Sequence, residues 1–94
     1  MKWREIRYFI DPATDQPHIY EHNVDESEVE EILAHPLKDE PGRDNSRAAL
    51  GKTFHGRYLK VVYSVDEDGL GIIVITAYDL TGNALAALRR RLRR

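Results

Sequence analysis

Gly56-Arg57-Tyr58-Leu59-Lys60-Val61-Val62-Tyr63-Ser64-Val65-Asp66-Glu67-Asp68-Gly69-Leu70-Gly71-Ile72-Ile73-Val74-Ile75-Thr76-Ala77-Tyr78 decides the fold. Two runs dense in β-branched and aromatic residues, Arg57 to Val65 and Gly71 to Tyr78, flank Asp66-Glu67-Asp68-Gly69, a connection short enough for an antiparallel hairpin. A third run, Arg47 to Phe54, joins the first through His55-Gly56 and completes a three-stranded meander. Side chains alternate across a strand, so one face is expected to carry Leu59, Val61, Ile73, Ile75 and Ala77, with Leu50 and Phe54 joining them. The other face then presents Tyr58, Lys60, Ser64, Thr76 and Tyr78, with Arg47, Thr53 and His55 nearby. That second face has the character of a contact surface.

Working outward, Arg4 to Ile10 mixes β-formers with charge and runs into Asp11-Pro12, which reads as a short edge strand ending at a turn. Pro17 opens a short helix through His22, and Asn23 suits its left-handed C-terminal cap. Asp25 followed by Glu28 is a capping box, and Val29, Ile32 and Leu33 make an apolar stripe at helical spacing that stops at His35-Pro36. Residues 37 to 46 are polar and rich in breakers, the pattern of a loop. Thr81 caps a last helix from Gly82 onward, with Leu85, Leu88 and Leu92 on one face and arginines on the rest. The expected architecture is α+β: a small antiparallel sheet, made of the meander and an N-terminal edge strand, with helices packed on one face. All 94 residues form one domain.

Composition excludes much. There is no Cys, so disulfides, thiolate metal sites and Cys nucleophiles are absent. No apolar run follows Met1-Lys2-Trp3-Arg4-Glu5, and none elsewhere approaches the roughly 20 residues of a membrane helix, so a cytoplasmic protein without a signal peptide or membrane contact is expected. The net charge of −2 conceals a segregation: residues 1–45 carry 12 acidic side chains against 5 Lys or Arg, while residues 46–94 carry 9 basic against 4 acidic. Five of those nine are Arg89, Arg90, Arg91, Arg93 and Arg94. Such an asymmetry suits a polyanion or an acidic partner, or mutual neutralisation of the two halves in the fold.

His18-Ile19-Tyr20-Glu21-His22 matches the H-x-x-E-H zinc-peptidase pattern, but the candidate helix is short and would need a third ligand and a substrate cleft that 94 residues can hardly supply; packing or capping is the better reading for His22, and no metal or other cofactor is expected. Serine-hydrolase and nucleotide-binding motifs are absent. The dense carboxylates of Asp25 to Glu31 read as a solvated helix face. What remains is a cationic and aromatic group on the strands and last helix. Metal-free RNA cleavage needs cations for the charge that builds on phosphate and groups that move protons, and rings that stack bases add affinity.

The succession His18-Ile19, Glu21-His22-Asn23-Val24, Glu28-Val29-Glu30-Glu31-Ile32-Leu33, Pro36, Ala49-Leu50-Gly51-Lys52-Thr53, Gly56 to Tyr63 and Ile75-Thr76-Ala77-Tyr78-Asp79 resembles the BrnT-like toxins and their relatives over roughly residues 8 to 90. The resemblance implies a RelE/ParE-type fold and a type II toxin: a metal-independent endoribonuclease that cuts mRNA and is held inactive by a cognate antitoxin protein. It places Arg57 on the family's Gly-Arg pair and Arg47 on a basic residue near the start of the preceding strand. Where many members read Ile-Ser-Ala-Arg, this chain reads Ile75-Thr76-Ala77-Tyr78, so a phenol stands in place of a cation. Asn23 also replaces a usual Gly, with little consequence because Asn tolerates the left-handed conformation. The expected catalytic set is Arg47, His55, Arg57, Lys60 and Tyr78, with Lys52, Tyr58, Arg89, Arg90 and Arg91 holding RNA or a partner. The rival expectation is a non-catalytic module that uses the same face to bind an acidic protein or nucleic acid.

Overall fold

The computed structural model describes residues 3–93. Its elements, in chain order, are strands β1 (Glu5–Tyr8), β2 (Ile10–Asp11) and β3 (Gln16–Pro17), a 3₁₀ helix (His18–His22), helix α1 (Glu26–Ala34), strands β4 (Lys38–Pro41), β5 (Arg47–Lys52), β6 (Tyr58–Val65) and β7 (Gly71–Asp79), and helix α2 (Gly82–Leu92). The class is α+β. Asn23 closes the 3₁₀ helix at φ 57°, and Asp25 with Glu28 forms the reciprocal capping box of α1, both at the positions their residue types require. Arg94, the last of the arginine run, lies outside the described residues.

Five strands form one sheet in the order β1-β7-β6-β5-β4, and β2 pairs with β3 as a two-residue ribbon. The meander β5-β6-β7 is antiparallel, as its short turns demand. The sheet as a whole is mixed rather than antiparallel, because β1 runs parallel to β7. No tight turn ties β1 to the meander, so its local sequence leaves its direction open. β4 forms within the stretch expected to be loop. Its Lys38-Asp39-Glu40-Pro41 reads as polar coil, yet charge and Pro are what an outer strand tolerates.

The main core lies between the sheet and α1. Val29, Ile32 and Leu33 of the helix and Ile19 of the 3₁₀ helix pack on Ala49, Leu59, Val61, Tyr63, Ile72, Val74 and Ala77. Gly51 lies under α1, where an added Cβ would meet the Ile32 side chain at 3.1 and 3.3 Å. Gly51→Ala is therefore expected to destabilise the protein by about 1–2 kcal/mol through overpacking, measured as a lower urea midpoint with unchanged slope.

The helices do not share one face. Leu50, Leu80 and Leu88, with Tyr58 and Leu85, form a second cluster, and Leu50 and Tyr58 have the opposite pleat parity to Ala49 and Leu59. Thus α2 packs on the reverse side of the sheet from α1, while Leu92 remains exposed.

The alternation expected for β7 also fails in part. Val62 pairs with Thr76 but Tyr63 pairs with Val74, so Ile75 is an extra residue in a β-bulge. The bulge exchanges the faces: Ile72 and Val74 are buried before it and Ala77 after it, whereas Ile75 is exposed and Ile73 half-buried. Leu50 joins the α2 side, and Phe54, at 88% exposure, joins neither core. Among the described residues no helix is long and apolar enough to cross a membrane.

Candidate functional site

On the α2 side, β6 and β7 place Lys60 directly opposite Tyr78, and β5 and β6 place Lys52 opposite Tyr58. Register alone therefore builds a stripe of alternating cations and rings across three strands. Lys60 Nζ stands 5.9 Å from the Tyr78 ring centre, and Lys52 Nζ stands 5.5 Å from that of Tyr58. Arg89 of α2 covers Tyr58 from a further direction, its guanidinium carbon 5.2 Å from the ring centre. Arg90 and Arg91 extend the positive surface as exposed side chains of the same helix.

Beside this stripe is a cavity of about 590 Å³, floored by Ala48, Lys60, Val62 and Tyr78 and walled by Glu40, Arg43 and Ser46 of the β4–β5 hairpin. Asp44 and Asn45 both adopt left-handed backbone in that hairpin, a conformation these residue types accept more readily than most. Gly42 and Ser46 close the turn through a 2.8 Å hydrogen bond from the Gly42 N–H to the Ser46 carbonyl. β1 covers β7 only as far as Val74, and the 3₁₀ helix packs on β7. The His22 ring thereby reaches Tyr78 edge-on, with ring centres 5.8 Å apart.

Arg57 stands elsewhere. Its Nε and Nη2 donate to both Asp79 carboxylate oxygens at 2.8 and 3.1 Å, Nη1 donates to Glu28 at 3.1 Å and to the Asn23 carbonyl at 2.6 Å, and Nη2 also donates to the His22 carbonyl at 3.1 Å. Every N–H of the guanidinium is engaged. One side chain thus clasps the end of the 3₁₀ helix, the first turn of α1 and the end of β7. The Asp79 and Glu28 carboxylates push the Arg57 pKa further up, and Arg57 in turn holds the Asp79 carboxyl below the usual carboxylate range.

The sign of the pH effect follows. Because the native Asp79 pKa is depressed, its contribution is complete above the ordinary carboxylate pKa of about 4 and is lost as pH falls through the native value. Asp79→Asn is expected to be less stable than wild type at neutral pH, with the gap narrowing below about pH 4. Urea unfolding from pH 7 to pH 2 checks this, and a gap independent of pH would contradict it.

Arg47 likewise turns away from the stripe. It pairs with Tyr63 on the core parity, and its Nε donates to Asp39 at 3.0 Å. The Tyr63 hydroxyl donates to the same carboxylate at 2.5 Å; burial, then this hydrogen bond, push its pKa up to about 12. His55 is exposed in the β5–β6 turn, and no hydrogen bond or ring contact joins it to Lys60 or Tyr78 among the described residues. Of the expected catalytic residues the fold brings together Lys60 and Tyr78, and it sets Arg47, His55 and Arg57 apart from them. Arg43, Glu40 and His22 join the site instead. Their only sequence signals are a charged hairpin tip and a His one residue before a left-handed cap.

No curated protein and no solved structure matches the chain. A family model does match, over residues 18–79, which spans from the 3₁₀ helix to the end of β7 and takes in both the Arg57 clasp and the Lys60–Tyr78 pair. With more than half of its length so matched, the chain belongs to the family described as Domain of unknown function (DUF4258).

Proposed function

We propose that the protein is a metal-independent endoribonuclease that binds and cuts mRNA on the α2 side of a RelE/ParE-like sheet, as the toxin of a type II toxin-antitoxin pair. The observation that carries this reading is the meeting of Lys60 and Tyr78 at one cavity, with the His22 ring edge-on against Tyr78, beside the Lys52–Tyr58–Arg89 stack. Lys60 and Arg43 neutralise the charge that builds on the phosphate. His22 and Tyr78 move the two protons, one from the attacking 2′-hydroxyl and one to the leaving 5′-oxygen. The stack and the arginines of α2 hold the flanking strand electrostatically. A cognate antitoxin silences the toxin by covering the same face, and the pair works in the cytoplasm, where mRNA is found.

Arg57 is a positioning residue in this scheme. Its hydrogen bond to the His22 carbonyl fixes the segment whose ring meets Tyr78.

The test is incubation of the purified protein with a long mRNA in EDTA, alongside Lys60→Ala. Cleavage by the wild type that is lost in the variant supports the nuclease. A second reading, a binding module for nucleic acid or an acidic protein, is favoured by the full internal engagement of Arg57, the residue the family resemblance places in catalysis. RNA that is bound by both proteins' common scaffold, weakened in Lys60→Ala and cut by neither would establish that reading.

A further inference from the structure

Outside the cavity, three side chains from the β2–β3 ribbon and the 3₁₀ helix turn their ligand atoms toward one another. Asp11, His18 and Glu21 place a carboxylate oxygen, Nδ1 and a carboxylate oxygen within 4.8 Å of each other. His18 Nδ1 lies 3.2 Å from Asp11 Oδ2 and 3.8 Å from Glu21 Oε2. Two donors about 2.0–2.1 Å from a tetrahedral ion stand about 3.3–3.4 Å apart, a separation the His18–Asp11 pair already meets and the half-exposed Glu21 side chain reaches by a small inward rotation.

Hydrogen bonding accounts for the His18–Asp11 pair and a contact between Asp11 and Glu21, but not for both carboxylates facing one ring nitrogen. A single imidazole nitrogen offers at most one proton, which Asp11 takes, and Glu21 at 3.8 Å is beyond hydrogen-bond reach while still aimed at the same nitrogen. Asp11 is oriented independently of His18. Its Oδ1 accepts the Ala13 N–H at 2.9 Å, and its own carbonyl accepts the N–H groups of Thr14 and Asp15, which leaves Oδ2 facing the ring. The His18 backbone N–H is fixed by the Phe9 carbonyl at 3.0 Å. Support of a ligating carboxylate by a backbone N–H is a recurring second layer of metal sites.

We propose that Asp11, His18 and Glu21 bind one zinc-class divalent ion, which pins the β2–β3 ribbon to the 3₁₀ helix and leaves a coordination position to solvent. One imidazole with two carboxylates suits zinc better than magnesium, which demands an all-oxygen octahedron. The ligand set differs from the one the H-x-x-E-H spacing suggests: Glu21 is a ligand rather than a base, Asp11 supplies the third donor, and the His22 ring packs edge-on between the His18 and Tyr78 rings, outside the cluster of ligand atoms. The ion would take no part in the cleavage step, and because metal uptake is read without RNA, failure of this assignment is distinguishable from failure of the nuclease reading.

The test is titration of the full chain with Co²⁺ and then Zn²⁺, followed by visible absorption and calorimetry, with His18→Ala, Glu21→Gln and His22→Ala in parallel. One equivalent should bind with a four-coordinate cobalt spectrum. His18→Ala and Glu21→Gln should each weaken binding by more than the roughly 10–100-fold typical of losing an outer-layer partner, and His22→Ala, which removes only a ring packed on His18, should cost less than about tenfold. Glu21 is half-exposed, so its variant remains informative even where His18→Ala fails to fold. Absence of saturable uptake, uptake unchanged in Glu21→Gln, or loss in His22→Ala equal to that in His18→Ala would each overturn the assignment.

Discussion

Arg57→Ala is expected to lower stability by about 3 kcal/mol, the larger cost that follows when one partner of a mostly buried ionic network is removed and the others remain. For a domain of this size that corresponds to a fall in Tm of about 10–20 °C. The side chain is 26% exposed, and its removal strands the Glu28 carboxylate and the carbonyls of His22 and Asn23 together. Glu28 also accepts the Asp25 N–H in the capping box, so the start of α1 loosens with the clasp. Arg57→Lys keeps the charge but not the planar fork and should fall between the two. Thermal unfolding by circular dichroism separates the cases. A variant that melts with the wild type would show that the clasp is idle, and would return Arg57 to the candidates for direct phosphate contact.

The second large effect is on chemistry. Lys60→Ala is expected to reduce RNA cleavage by about 10²-fold or more, the usual consequence of losing a donor aimed at developing charge, while leaving the unfolding midpoint nearly unchanged. Lys60 lies over the Tyr78 ring on the half-open face of the sheet and has no ion pair among the described residues. Tyr78→Phe keeps the ring and deletes the hydroxyl. It should retain RNA binding and lose cleavage by a similar factor if the phenol moves a proton. Single-turnover rates with a labelled oligonucleotide, beside binding measured by anisotropy, distinguish the two contributions. A Lys60→Ala protein as active as the wild type would remove the cavity from the mechanism.

The parts of the fold that were legible in the sequence are those fixed by local chemistry. Asp25 and Glu28 announce the start of α1, Asn23 the end of the preceding turn, and the short turns the antiparallel meander. What was not legible depends on distant partners. The parallel pairing of β1 with β7 has no turn to signal it, and β4 is built from residues that read as loop. The bulge at Ile75 shifts the face of every later residue in β7 relative to the earlier ones, and a strict two-residue period cannot contain it.

The site shows the same division. Lys60 and Tyr78 share a face because of a register that the hairpin largely dictates. Arg57, by contrast, looks in sequence like any cation at the mouth of a hairpin. Only the approach of Asp79, Glu28 and two carbonyls from three other segments turns it into a clasp.

In the proposed scheme the working surface is the α2 side of the sheet, at Lys60 and Tyr78, and Arg57 supports it from the other side. The most direct measurement is an NMR titration of the protein with a short single-stranded RNA, following backbone amides and the His22 and Tyr78 ring signals. The predicted result is that shifts concentrate on Lys52, Tyr58, Lys60, Tyr78, Arg43 and Arg89 and spare the exposed acidic face of α1 at Glu30. Shifts centred on Arg57, Glu28 and Asp79, with the Lys60–Tyr78 cavity unaffected, would contradict it.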